Sequence, residues 1–153
     1  MKRTKITLSL PSFSNDDFTI TYNGTDVKAS KSKLGLYSAF FIRMQHFCST
    51  SNYKITDKPP ISAFKEFITA AQGLEFKLSR DNLFDIIFFC SIYEVDSVLN
   101  VCTTYFHNYP QIPQILREAQ NAKSEGKSER YCDNLNALIA SHLDQCLKNE
   151  EFK

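Results

Sequence analysis

The chain has 153 residues, 42% of them hydrophobic and 23% charged, which is enough to build one apolar core and leaves no room for a second independent domain. Eighteen basic and 17 acidic residues leave a formal net charge of +1, so no overall field draws the chain to nucleic acid or to an anionic membrane. Met1-Lys2-Arg3-Thr4-Lys5 runs into an alternating segment without the apolar run of a signal peptide, and no stretch approaches the ~20 apolar residues of a membrane span. An intracellular protein of the cytoplasm or nucleus is expected, and the odd set of five cysteines, mostly at apolar helical positions, reads as reduced thiols.

Ile6, Leu8 and Leu10 alternate with polar residues, which predicts a half-buried strand over Thr4–Leu10, ended by Pro11. Two further alternating runs, Phe18–Tyr22 and Thr25–Ala29, flank Asn23-Gly24, the dipeptide best suited to a type I′ turn, and predict a hairpin. From Ser30 to Cys48 the spacing turns helical, with a break expected at Gly35 and Ser38 able to cap a second short helix that carries Phe40, Phe41, Met44 and Phe47. Asn52–Thr56 reads as a short strand, and Pro59-Pro60 sets the entrance to a helix with Ile61, Phe64, Phe67, Ile68 and Ala71 on one face and Gly73 as its stop.

Glu75–Leu78 alternates briefly, and Ser79 is the expected cap of a helix in which Leu83, Ile86, Ile87 and Cys90 share a face while Phe84, Phe88 and Phe89 point elsewhere. A helix so apolar on most sides is central in a fold or keeps a face for a partner. Val98, Leu99, Cys102 and Phe106 define the next helix, begun near Asp96 and ended before Pro110. A helix with Pro113 in its first turn follows. After the polar connector Lys123–Lys127, a last helix from about Ser128 carries Cys132, Leu135, Ile139, His142, Leu143 and Cys146 along one stripe.

This order of hairpin, two short helices, strand, helix, short strand and two helices resembles the BTB/POZ fold. Residues that carry the resemblance are Asp17-Phe18, Gly24, Ala29 and Leu34, then Ser38, Phe41 and Met44, then Phe64, Gly73 and Cys102, over a span from Asp17 to Tyr109. The chain departs from the family pattern at Ala29-Ser30 in place of Ala-His, at Ala71-Gln72-Gly73 in place of Tyr-Thr-Gly, and in lacking the long first helix. Its tail, from Leu138 to Phe152, is similar to the start of a BACK-type helical extension, as in proteins with a BTB-like domain before ankyrin repeats. The resemblance therefore implies an α+β fold, a small mixed sheet flanked by helices with a C-terminal helical pair, divided as a BTB-like domain over 1–109 and a truncated extension over 110–153.

The function so implied is non-catalytic protein–protein interaction, mediating homo- or hetero-oligomerisation. One implied partner is a second copy, joined in part through the strand of Ile6, Leu8 and Leu10. The other is a cullin-type ubiquitin ligase scaffold, for which the chain would be a substrate adaptor. Against the second stands Phe47-Cys48-Ser49-Thr50, which lacks the apolar-x-Glu motif of cullin-binding members. Phe40, Met44, Phe47, Phe84 and Phe88 are the candidate partner surface, with burial in the core as the competing reading of at least half of them.

No catalytic residue, cofactor or metal ligand is assigned. His46 and Cys48 have no orienting acid, and four unclustered Gly make no phosphate loop. His142 and Cys146 lie four apart on a helix but read better as core, without a paired ligand motif. Lys28, Lys31, Lys33 and Arg43 support a nucleic-acid-associated rival, against which stands the simpler reading of a solvated face.

Overall fold

The computed structural model describes residues 17–47 and 51–148, and the chain divides into two units between Phe76 and Lys77. The Thr4–Leu10 strand expectation lies outside the described residues, as do Cys48 and the last residues of the tail.

In the first unit β1 (Phe18–Tyr22) and β2 (Thr25–Ala29) form the antiparallel hairpin, with Phe18 opposite Ala29 and Ile20 opposite Val27. The turn between them needs positive φ at both central residues, and Asn23 and Gly24 supply it at 48° and 88°. The period of two sends Phe18, Ile20 and Tyr22 into the core and leaves Thr19 and Thr21 half-buried on the other side. β3 (Asn52–Ile55) pairs in parallel with β1, so the sheet is mixed with order β2-β1-β3. The Asn23 amide fastens the turn to the chain beyond β3, donating to the Asp57 carbonyl at 2.8 Å and accepting from the Asp57 N–H at 2.9 Å.

The crossover from β2 to β3 contains α1 (Lys31–Tyr37) and α2 (Ala39–Phe47). The break falls at Ser38 rather than Gly35, through which α1 runs on. Ser38 adopts extended backbone (φ −124°), donates its N–H to the Leu34 carbonyl at the end of α1, and accepts from the Phe41 N–H with its hydroxyl at 3.0 Å. One serine thus stops one helix and starts the next, and a lone Gly costs too little to end a helix that has a cap three residues on. α3 (Ile61–Ala71) begins after Pro60 and buries Phe64, Phe67, Ile68 and Ala71. Phe64 stacks on Tyr22 with ring centroids 4.1 Å apart, while the Tyr22 hydroxyl donates to the Pro59 carbonyl at 2.6 Å, so a strand residue fixes both ends of the turn into α3.

The second unit is helical. No strand forms over Glu75–Leu78; a four-residue alternating run without a partner strand has too few ladder bonds to hold it. Nor does Ser79 cap the next helix. α4 (Leu83–Tyr93) starts after Asn82, whose amide accepts from the Ser79 N–H and donates to the Lys77 carbonyl, closing a turn ahead of the helix. α4 is buried nearly all round, through Leu83, Ile86, Ile87, Phe88, Phe89, Cys90, Ser91 and Tyr93, and ends at Glu94 in the left-handed conformation.

α5 (Asp96–Asn108) buries Val98, Cys102 and Phe106, and α6 (Ile112–Ser124) has Pro113 in its first turn and buries Ile112, Ile115, Leu116 and Ala122. α6 runs one residue further than Lys123, which trims the polar connector. α7 (Glu129–Ser141), capped by the Ser128 hydroxyl, packs on both α6 and α4. The stripe expected to continue to Cys146 breaks at His142 (φ −124°), and α8 (Leu143–Leu147) follows. Leu143 turns outward at 48% exposure and Cys146 inward at 0%.

Candidate functional site

The apolar side chains left outside the core mark the surface a partner of any kind would meet. In the first unit these gather around the α1–α2 corner and the end of α3. Leu36 is 72% exposed and Leu74 47%. Tyr37 connects them: its ring lies over Gly73, so close that a Cβ on Gly73 would stand 2.6 Å from it. Gly73, at φ +80°, both ends α3 and makes room for that ring.

Of the expected partner surface, Phe40 is half-buried, edge-on to Phe41 at 5.2 Å and to Tyr53 of β3 at 6.0 Å, and Met44 is half-buried. Phe47 closes α2, and its side chain lies outside the described residues. Phe84, in the second unit, is half-buried and meets Phe106 at 6.4 Å. Phe88 is only 6% exposed; its ring meets Tyr131 edge-on at 5.1 Å and the Lys127 ammonium stands 5.4 Å from its centroid. Ile6, Leu8 and Leu10 are outside the described residues.

The polar groups of the second unit form two clusters that periodicity does not reveal. In one, Glu118 accepts from the Tyr131 hydroxyl at 2.8 Å and from Lys127 at 3.4 Å. Burial and the Glu118 charge push the Tyr131 phenol far above its usual range, and push Asp85, on α4, up to about 6. In the other, His107 Nδ1 and His142 Nε2 lie 2.8 Å apart, and the Phe106 and His142 rings meet nearly perpendicular with centroids 5.1 Å apart. Beside His107 is a cavity of about 150 Å³ lined by Leu99, Thr103, Asn134, Leu138 and Ser141. Of the two histidines only His142 drew notice in the sequence, weighed with Cys146 as a metal-ligand pair and read as core; in the structure its ring partner is His107, while the Cys146 thiol donates to the Ile139 carbonyl. A histidine in the last turn of α5, with no pattern linking it to residue 142, left no signal in the sequence.

Among the described residues no group of three or more His, Cys, Asp or Glu side chains is placed to hold a metal ion, and no helix is long and apolar enough to cross a membrane. Cys90, Cys102, Cys132 and Cys146 are free thiols, and burial beside Cys102 raises the Cys90 thiol well above its usual value.

No protein-family profile and no curated protein matches the chain. Among solved structures it is similar to the BTB (Tramtrack and Bric a brac) domain of human gigaxonin, with 16% sequence identity and a TM-score of 0.50, over 67% of this chain and 87% of that one. The fold is of the BTB kind. The three-stranded mixed sheet with its helices is the α+β arrangement expected from the ordered residues between Asp17 and Tyr109.

Proposed function

We propose that the chain is a non-catalytic protein–protein interaction domain that associates with a second copy of itself, partly through the strand of Ile6, Leu8 and Leu10. The observation that carries this reading is the BTB-like fold, a fold used for association. Two features support it. Among the described residues the sheet ends at β2 on one side and β3 on the other, so an added strand has an edge to extend. Leu36, Tyr37 and Leu74 offer apolar area of the type that interfaces bury, and Phe40 and Met44 add half-covered surface on α2. On this reading 110–153 is the start of a BACK-like extension, and the free thiols suit a reducing compartment, cytoplasm or nucleus.

Binding a cullin-type scaffold as an adaptor gains nothing from α2, because the residues after Phe47 lack the Glu that such members carry. Light scattering on the intact chain and on a variant without residues 1–15 tests the reading. A dimer that becomes a monomer on truncation, with its helical circular dichroism kept, supports it; equal masses for the two chains overturn the role of the strand.

A further inference from the structure

The His107–His142 pair joins the end of α5 to the α7–α8 break, two places distant in sequence and both in the second unit. Its geometry says what kind of contact it is. An imidazole nitrogen lies about 1.1 Å from its ring centre, so two rings meeting nitrogen to nitrogen at 2.8 Å in line would have centroids about 5.0 Å apart. The observed separation is 5.0 Å at an interplanar angle of 28°, which means the two nitrogens point at each other. That alignment suits one hydrogen between them. A metal ion held by both would need the rings turned aside or drawn apart.

We propose that His107 and His142 form a proton-sharing clasp that holds α8 against the helices before it near neutral pH and opens when a second proton enters the pair. With no added proton, one imidazole N–H donates to the other's lone pair. With one, the bond becomes charge-assisted and shorter in reach. With two, N–H faces N–H, both rings are cationic at contact distance, and the bond cannot form.

His107 lies in the last turn of α5 and presents Nδ1 to His142 Nε2. Burial disfavours charge on His142, and the His107 charge adds to this, so the second proton is resisted to below the ordinary value of 6.5. The elements packed here carry Asp96 on α5, Arg117, Glu118 and Lys123 on α6, Glu129, Arg130 and Asp133 on α7, and Asp144 on α8 with Lys148 behind it. Of these charged groups and His107, it is His107 whose charge acts on His142.

Opening frees α8, whose one buried side chain is Cys146 at 0% exposure. Linkage sets the size of the response. Between the ordinary histidine pKa and the lowered value in the clasp, the opening constant rises about tenfold for each unit of falling pH, and it is flat above and below that window.

The experiment is carried out on the intact chain by following the two histidine Cε1 protons in NMR across a pH titration, with labelling of Cys146 by 4,4′-dithiodipyridine, read by mass spectrometry, at each pH. The expected result is a coupled pair of steps, with Cys146 labelling accelerating about tenfold per unit through the lower one. In His107→Gln, which keeps an N–H donor but carries no charge, His142 should titrate alone and at a higher pH than in the parent. Independent single-site titrations of the two rings in the parent, or Cys146 labelling that does not change through the lower step, would overturn the clasp.

Discussion

Asp85, in the first turn of α4, holds a half-buried carboxyl near Glu118; lost hydration first, and the Glu118 charge second, lift its pKa to about 6 against an opposing pull from Lys127. An unfolded chain releases the same proton near 3.8. Between the two values the folded state holds more of the proton, so this group's contribution to stability falls as pH rises from about 4 to about 6 and stays low above that. Asp85→Asn should therefore melt above the parent near pH 7 and converge with it near pH 4, in thermal scans followed by circular dichroism. A variant that melts below the parent at neutral pH would mean that Lys127 outweighs burial. Tyr131→Phe addresses the neighbouring contact: Glu118 loses the 2.8 Å hydroxyl donor but keeps Lys127 at 3.4 Å, and a cost of about 1–3 kcal/mol is expected in urea unfolding. A loss near zero would show that water replaces the phenol.

The elements that were legible in the sequence are those whose signal is local. Asn23-Gly24 between alternating runs specifies the hairpin because few other dipeptides reach positive φ twice, and Pro60 with the spacing of Phe64, Phe67, Ile68 and Ala71 specifies α3 for similar reasons. Errors arose where two residues compete for one job. Ser79 and Asn82 are both good caps, and Gly35 and Ser38 are both plausible breaks; hydrogen bonds to Lys77 and to Phe41 decide between them, and these depend on where the chain has already gone. The candidate site was less legible than the fold. Burial of Phe88 depends on Tyr131, 43 positions on, and the patch of Leu36, Tyr37 and Leu74 depends on a ring laid over a glycine. The two glycines test this at the level of elements. Gly24→Ala meets no atom within 4 Å and bears only the left-handed backbone, about 1–2 kcal/mol, whereas Gly73→Ala adds a collision with Tyr37 and should cost more. Equal chemical denaturation midpoints for the two would mean that Tyr37 does not rest on Gly73.

For the molecule as a whole, a small mixed sheet with its helices is one unit and a nearly pure helical cluster the other, and α4 is apolar on most sides because it is covered on most sides. Among the described residues, Phe18, Phe41, Phe64, Phe67, Phe89 and Phe106 are almost wholly buried and so belong to the cores of the two units. The exposed large apolar side chains among the described residues include Leu36, Tyr37 and Leu74 in the first unit, and Phe40 and Met44 are half-covered beside them in sequence. The proposed self-association is tested most directly by the mass of the intact chain in sedimentation equilibrium at high micromolar concentration, beside a Leu8→Lys variant that puts a charge among the alternating apolar residues Ile6, Leu8 and Leu10. Twice the 17.6 kDa chain mass is expected for the parent and the single-chain mass for the variant; a parent that stays at the single-chain mass throughout would rule out self-association.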